Sequence, residues 1–207
     1  MKQPLGVILA GGQATRMGGG DKGRLSLGGK TILQHVIDRL EPQVGGMALN
    51  ANGDPSRFSD LDMPVIQDSL AEFPGPLAGV LAGLDWAAEQ GAEAIVTAAA
   101  DTPFFPCDLV PRLLLASEAG PHQLALAASG EPGGKLWRQP TFGLWPVALR
   151  DDLRAALQSG LRKVVIWTDK HDAGQATFVQ SGIDPFFNVN TPEDLQEARR
   201  IAGENEY

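Results

Sequence analysis

Leu5-Gly6-Val7-Ile8-Leu9-Ala10-Gly11-Gly12 is the stretch from which the fold can be read. Leu5 to Ala10 is apolar almost without interruption, the pattern of a strand buried on both faces in a parallel sheet. It stops at Gly11-Gly12, and a glycine-rich, basic loop carries the chain past Arg16 to Lys22. Thr31 then offers a helix-capping oxygen, and Ile32, Leu33, Val36, Ile37 and Leu40 recur at helical spacing until Pro42 marks an exit. Strand, loop and helix in this order form the first unit of an alternating α/β chain.

The alternation continues. Met47 to Ala51 and Val65 to Gln67 read as strands, the second delivering Asp68. Pro76 opens a helix with a stripe of Leu77, Val80, Leu81 and Leu84. Gly79 and Gly83 interrupt it, and each glycine costs about 1 kcal/mol against alanine. The pair therefore predicts close approach of another backbone or a ligand, or tight packing of helix on sheet. Ala94 to Ala100 is a further buried strand that places Asp101 at its end, and Leu109 to Ala119 reads as a helix with Pro111 in its first turn.

Leu124 to Ser129 and Thr141 to Trp145 read as strands joined by Glu131-Pro132-Gly133-Gly134, an insertion or hairpin region over residues 123–146. Leu149 to Leu157 has helical periodicity, Lys163 to Trp167 fits strand or helix, and Ala176 to Val179 and Phe186 to Val189 read as short strands. Thr191-Pro192-Glu193-Asp194 is a capping-box arrangement leading into Leu195, Ala198, Ile201 and Ala202. The expectation is a single domain over residues 1–207, a three-layer α/β/α fold with a mostly parallel, Rossmann-like sheet.

With 207 residues, 43% of them hydrophobic and 20% charged, the chain suits one sizeable core. No apolar run approaches a membrane span, and Leu5 to Ala10 is too short for a secretory signal; a cytoplasmic protein with no membrane partner is expected. Cys107 is the only cysteine, which excludes an internal disulfide. A net charge of -8 has the wrong sign for a nucleic-acid partner. Yet Arg16, Lys22, Arg24 and Lys30 face only one nearby acid, Asp21, so a local cationic patch sits in an acidic protein. A local anion site accounts for it, as does an ordinary solvated loop.

In open α/β sheets ligands gather beyond the carboxyl ends of the strands. Glycines after the first strand let main-chain N–H groups approach phosphates, and Arg16 and Lys22 can neutralise them. Asp68 and Asp101 stand at two other strand ends, where carboxylates suit Mg²⁺. Gly18-Gly19-Gly20-Asp21-Lys22-Gly23 satisfies GxGxxG but begins several residues after the strand, which argues against a dinucleotide site. A Walker loop fails because glycine, not serine or threonine, follows Lys22. His35, His122 and His171 are scattered in sequence and read as structural, and Ser26, Ser129 and Ser181 lack a nucleophile-elbow context.

Leu9-Ala10-Gly11-Gly12, Arg16-Met17-Gly18-Gly19 and Asp21-Lys22-Gly23 together resemble the signature loop of nucleotidyltransferases with a glycosyltransferase-A-like fold, the nucleotide-diphospho-sugar transferase type. Asn50-Ala51-Asn52, Gln67-Asp68-Ser69-Leu70 with Pro74 to Gly79, Asp101-Thr102-Pro103, and Asn188-Val189-Asn190-Thr191-Pro192 follow in the order seen in molybdenum cofactor guanylyltransferases. The resemblance spans Leu9 to Asp194. It implies transfer of GMP from GTP to the terminal phosphate of molybdopterin, or its molybdenum-loaded form, with release of pyrophosphate. It further implies GTP contacts from Leu9, Ala10, Gly11, Gly12, Lys22, Asn50, Asp68 and Asp101, with Mg²⁺ on Asp101. Lys22, Asp101 and Arg16 would be catalytic, Asn188 and Asn190 would face the pterin, and transient contact with molybdopterin-loading and recipient molybdoenzymes would follow.

The residues themselves support this chemistry. A phosphate monoester is already anionic near neutral pH, its second pKa being about 6. Positioning and charge neutralisation then suffice, with no histidine or serine constellation. Asn188 and Asn190 are two apart, so an extended segment points both to one face and Val189 to the other. The segment Lys135 to Trp145, with Arg138 and Gln139, is a further candidate to face the pterin phosphate. The three alanines Ala98 to Ala100 leave Asp101 dependent on Thr102, main chain or water for orientation. Spacing and charge account for phosphate binding, but only the resemblance names guanine. A molybdopterin cytidylyltransferase, a sugar-phosphate nucleotidyltransferase and a non-catalytic cofactor-delivery or nucleotide-binding module are the competing readings.

Overall fold

Alternation of side chains along buried strands assigns each residue to one of two faces. The computed structural model describes residues 3–11, 22–70, 75–180 and 182–204. Strands β1 (Leu5–Leu9), β4 (Met47–Asn50), β5 (Val65–Ile66) and β6 (Ala94–Ala99) are joined through helices α1 (Ile32–Leu40) and α2 (Pro76–Glu89). Between β1 and α1 lie two short antiparallel strands, β2 (Ser26–Leu27) and β3 (Lys30–Thr31). Helix α3 (Leu109–Ser117) leads to β7 (Ala125–Gly130) and β8 (Trp137–Pro146). Helices α4 (Arg150–Gln158) and α5 (Val164–Lys170), strand β9 (Gly174–Val179) and helix α6 (Pro192–Glu204) complete the chain.

The described strands form a seven-stranded sheet in the order β5-β4-β1-β6-β8-β7-β9. β8 runs antiparallel to β6 and β7, and the other neighbouring pairs are parallel. One face carries Ile8, Leu49, Val96, Ala125 and Phe142 against α1 and α3. The other carries Val7, Ile95, Leu126 and Trp145 against α2, α4 and α5. This is the expected three-layer α/β/α arrangement. Helix α6 packs separately, with Val189, Leu195 and Ala198 closing over Leu27 and Ile32. Among the described residues no helix is long and apolar enough to cross a membrane.

Thr31 caps α1, its hydroxyl accepting from Gln34 N at 3.1 Å. The capping box before α6 also forms: Asp194 N donates to Thr191 Oγ1, and the Asp194 carboxylate accepts from the main-chain N–H groups of Asn190 and Thr191. The segment 163–167, open between strand and helix, lies within α5 apart from its first residue.

One expectation needs correction, and one open alternative is decided. Phe186 to Val189 is not a strand. Its first turn is closed by Asp184, which accepts from Phe186 N through its side chain and from Phe187 N through its carbonyl. Val189 N then donates to the carbonyl of Asp101, outside the seven-stranded sheet, and Phe186 and Val189 bury into different clusters. Of the two readings of region 123–146, the hairpin forms, with β8 lying between β6 and β7 inside the sheet. Its pairing with β7 jumps from Leu126 opposite Gly143 to Ala127 opposite Gln139, so Pro140 to Phe142 bulge out at the carboxyl end of β6. Pro140 has no N–H to give to a ladder, which explains the break there.

Candidate active site

The carboxyl ends of β1, β4 and β6 lie side by side, and two groups of polar side chains assemble on them. In the first, the end of β1 is held from both sides, the Leu9 carbonyl accepting from Ala100 N at 3.0 Å and Ala10 N donating to the Asn50 carbonyl at 2.8 Å. Asn50 ends β4 and is 2% exposed. Its amide nitrogen donates to Asp68 Oδ1 at 3.0 Å, and that of Asn52 donates to Asp68 Oδ2 at 2.7 Å. Asp68 N returns a bond to Asn52 Oδ1 at 3.0 Å. Asp68 is therefore fixed by a carboxamide on each oxygen. A Cβ on Gly11 would stand 3.5 Å from Asn50 Oδ1, so this glycine borders the same group.

Gly79 brings α2 onto it. A Cβ there would stand 2.3 Å from Asn50 Oδ1 and 2.9 Å from Leu9 Cδ2. Gly83, one turn later, would meet Ile95 Cδ1 at 2.8 Å and Val7 Cγ2 at 2.9 Å. Of the two explanations for the glycine pair, packing on sheet side chains applies to both, and only Gly79 does so at a candidate site residue.

The second group surrounds Asp101, just beyond β6. Lys22, Gly23 and Arg24 form one 3-10 turn. A Cβ on Gly23 would lie 3.2 Å from Leu33 Cβ and 3.6 Å from the Ala100 carbonyl oxygen, so glycine lets this turn settle against the end of β6. The Lys22 ammonium donates to Asn190 Oδ1 at 2.9 Å. Burial pushes the Asp101 carboxyl above its ordinary value, while the Lys22 charge and the Thr102 hydroxyl pull it down. Thr102 Oγ1 stands 3.3 Å from Asp101 Oδ1 and is also hydrogen-bonded to the Asn188 carboxamide. Val189 N donates to the Asp101 carbonyl at 2.8 Å. Thr102 and main chain thus supply the support that Ala98 to Ala100 lack.

Asn188 and Asn190 flank a fully buried Val189, as the two-residue spacing predicted, although the segment is not a strand. Both point into the Lys22 and Asp101 group. Asp194 sets Asn190 in place, and the two main-chain N–H groups it accepts, that of Asn190 foremost, hold its carboxylate below the ordinary value. Asn52, Gly23 and Asp194 stood in the quoted motifs but were not predicted as site residues. For Asn52 the signal was present, because it stands two residues from Asn50 just as Asn190 does from Asn188.

Two electrostatic expectations change. Arg24 and Lys30 do not extend the cationic patch toward the site: Arg24 forks onto Asp60 and the Arg57 carbonyl, and Lys30 pairs with Asp38. Lys22 is the cation of that patch seen at Asp101 among the described residues. Gly12 and Arg16 lie outside the described residues. Asp68 and Asp101, read together as a natural pair for one ion, are also separated. The Asp68 carboxylate sits at the end of β4, about 10 Å and two strand spacings from β6, whereas a magnesium ligand must lie within about 2.1 Å. Among the described residues, Asp101 is the carboxylate that stands beside the Lys22 ammonium at the end of β6.

Of the histidines, His122 and His171 meet edge to face with ring centroids 5.4 Å apart. His171 and the Trp167 indole bond Asp152 at 2.8 and 2.9 Å, locking α5 to α4 on the face opposite α1. Their role there is structural.

Residues 6–173 match the model of the MobA-like NTP transferase domain. A molybdenum cofactor guanylyltransferase of Nitrobacter hamburgensis is 50% identical over 200 residues, covering 95% of this chain and 93% of that one. One from Bradyrhizobium is 50% identical over 200 residues, covering 95% and 92%. The chain belongs to the molybdenum cofactor guanylyltransferase family. It is accordingly an enzyme, a nucleotidyltransferase, which removes the reading as a non-catalytic module.

Solved structures agree on the fold. Molybdopterin-guanine dinucleotide biosynthesis protein A from Archaeoglobus fulgidus superposes with a TM-score of 0.72 at 23% identity, covering 97% of this chain and 99% of that one. A 4-diphosphocytidyl-2C-methyl-D-erythritol synthase from Anaerococcus prevotii reaches 0.71 at 16% identity, covering 98% and 96%. Transferases named for different bases share this architecture. Nucleotidyltransferases of the molybdenum cofactor family are generally dependent on a divalent metal.

Proposed function

We propose that this chain transfers GMP from GTP to the terminal phosphate of molybdopterin, or of its molybdenum-loaded form, in the cytoplasm. Mg²⁺ would be held by Asp101, and contact with molybdopterin-loading and recipient molybdoenzymes would be transient. The observation that carries this reading is the pairing at the end of β6: Gly23 seats the Lys22 turn against Ala100, and Asn190 directs the Lys22 ammonium beside the partly buried Asp101. The 50%-identical relatives named for this activity supply the substrate.

In the reaction, an oxygen of the acceptor phosphate attacks the α-phosphorus of GTP, the bond from that phosphorus to the bridging oxygen breaks, and pyrophosphate leaves. The acceptor oxygen is already anionic, so no side chain need remove a proton. Lys22 neutralises charge that grows on the α-phosphate and the leaving group. Asn190 keeps its ammonium aimed, and Asp194 keeps Asn190 in place. A bound Mg²⁺ would add charge neutralisation and orientation of phosphate oxygens.

Asn50, Asn52 and Asp68 form the base-side group, with Gly11 and Gly79 leaving room beside them. A carboxylate held by two carboxamides retains acceptor capacity on each oxygen for the adjacent N–H groups of a guanine edge. Leu9, Ala10 and the loop through Gly12 and Arg16 would complete the nucleotide contacts.

Pyrophosphate release with molybdopterin, Mg²⁺ and each nucleoside triphosphate in turn tests the assignment. GTP should support release and raise the unfolding temperature. Release and protection with CTP or UTP but not GTP would transfer the reading to a cytidylyltransferase or sugar-phosphate nucleotidyltransferase.

A further inference from the structure

An open cavity of about 370 Å³ lies beyond the β7–β8 hairpin, lined by Trp137, Lys135, Glu131 and Asp184 among others. Its volume falls in the range of small-molecule sites. Trp137 is 61% exposed, an unusual place for an indole unless the ring meets something. Lys135 Nζ rests 4.1 Å from its ring centroid and covers one π face, while the exposure of the ring leaves apolar surface open to a flat ring.

The cavity is tied to the Asp101 group through one segment of chain. Asp184 stands at the cavity, Phe186 anchors on Phe142 and Phe178 with ring centroids 4.9 and 5.4 Å away, and Asn188 and Asn190 end at Thr102 and Lys22. Asn188 is four positions after Asp184, at most about 14 Å away even when extended. Trp137 lies opposite Ser129, and Ser129 opposite Phe178, so the indole rises from the face on which this segment lies. Gln139, two residues on and on the same face, is fixed by a 3.0 Å bond to Ser129 Oγ.

We propose that this cavity receives the pterin ring system of the acceptor, with Trp137 as the stacking platform. The assignment rests on the reading that the acceptor is molybdopterin. Its phosphate is then directed to Lys22 and Asp101 while its far end reaches the hairpin. The aminopyrimidine edge of a pterin presents adjacent N–H donors, which suit carboxylate acceptors. Asp184 accepts from Phe186 N through Oδ1, its second oxygen accepts no side-chain or main-chain donor among the described residues, and Glu131 lines the same space.

The test compares Trp137→Ala and Trp137→Phe with the unaltered enzyme, varying molybdopterin at saturating GTP. The alanine variant should raise KM for molybdopterin about ten-fold or more, the range expected for a lost stacking contact. KM for GTP and the unfolding temperature should stay unchanged, and phenylalanine should restore most of the loss. An unchanged molybdopterin KM in the alanine variant of an active enzyme overturns the platform and leaves the activity intact. An equal rise in GTP KM, or a lowered unfolding temperature, also overturns it by making Trp137 a structural residue. If the unaltered enzyme forms no dinucleotide, the functional reading fails and takes this one with it.

Discussion

The two halves of the sheet are built on different principles. Around β1, β4 and β6 the strands are parallel, their ends are clamped by main-chain bonds, and the polar side chains are tied to one another: Asn50 and Asn52 to Asp68, Lys22 to Asn190, Thr102 to Asp101. Around β8 and β7 a strand runs the other way, breaks at Pro140 and carries an exposed indole. A triphosphate and a metal demand fixed charges, because charge stabilisation is strongest when the surrounding groups need not reorganise. A flat ring demands mainly an accessible surface. The difference teaches that rigidity is concentrated where charge must be met.

The largest effect that could break this comparison is expected at Asp101. Asp101→Asn should lower kcat about a thousand-fold or more. The same change should raise the unfolding temperature of the ligand-free enzyme near neutral pH. The sign follows from burial: a carboxyl raised above 3.8 in the folded state favours folding below that pH, and the contribution is lost as pH rises through the raised value. The stability gap between variant and unaltered enzyme should therefore close as pH falls toward 4, measurable by thermal unfolding at several pH values. A variant less stable at pH 7 would contradict the buried-charge account.

Next comes Lys22. Lys22→Ala should reduce kcat at saturating GTP by about a hundred-fold, with less change in KM. Asn190→Ala should reproduce part of that loss, about ten-fold, because it aims the ammonium without carrying charge. Equal KM effects without a kcat effect would assign both residues to ground-state binding.

Gly79 and Gly83 sharpen the comparison further. Alanine at either should cost about 1–3 kcal/mol of stability by overpacking, read from denaturant unfolding. Only Gly79→Ala should also weaken GTP binding, since its methyl would press on Asn50 and the other on Ile95 and Val7. The smallest effect is expected at Arg24. Its fork onto Asp60 anchors the turn that carries Lys22, but both side chains are partly exposed. Arg24→Ala should raise KM for GTP by about five-fold at most.

Much of this was legible in the sequence. The Leu5 to Ala10 run, the Thr31 and Thr191 caps and the strand ending at Asp101 are local patterns, and local patterns survive folding. What escaped depends on pairing across distance. That Arg24 meets Asp60 and Lys30 meets Asp38 is invisible in a count of charges, so the patch overstated the cations available to the site. Asp68 and Asp101 looked like partners because both follow strands, whereas strand order places β4 and β1 between β5 and β6. Phe186 to Val189 had strand composition, but the turn that Asp184 closes on Phe187 keeps the segment out of the sheet. Asn188 and Asn190 were read as pterin contacts; the fold also makes them supports for Asp101 and Lys22.

The central claim is that the fixed half delivers a guanylyl group to an acceptor held by the open half. GTP labelled at the α-phosphorus, incubated with the enzyme, Mg²⁺ and molybdopterin, tests it directly. The account predicts label in a pterin dinucleotide, with none when the γ-phosphorus is labelled instead. Label confined to GTP and its hydrolysis products, or a dinucleotide labelled from the γ-position, would contradict it.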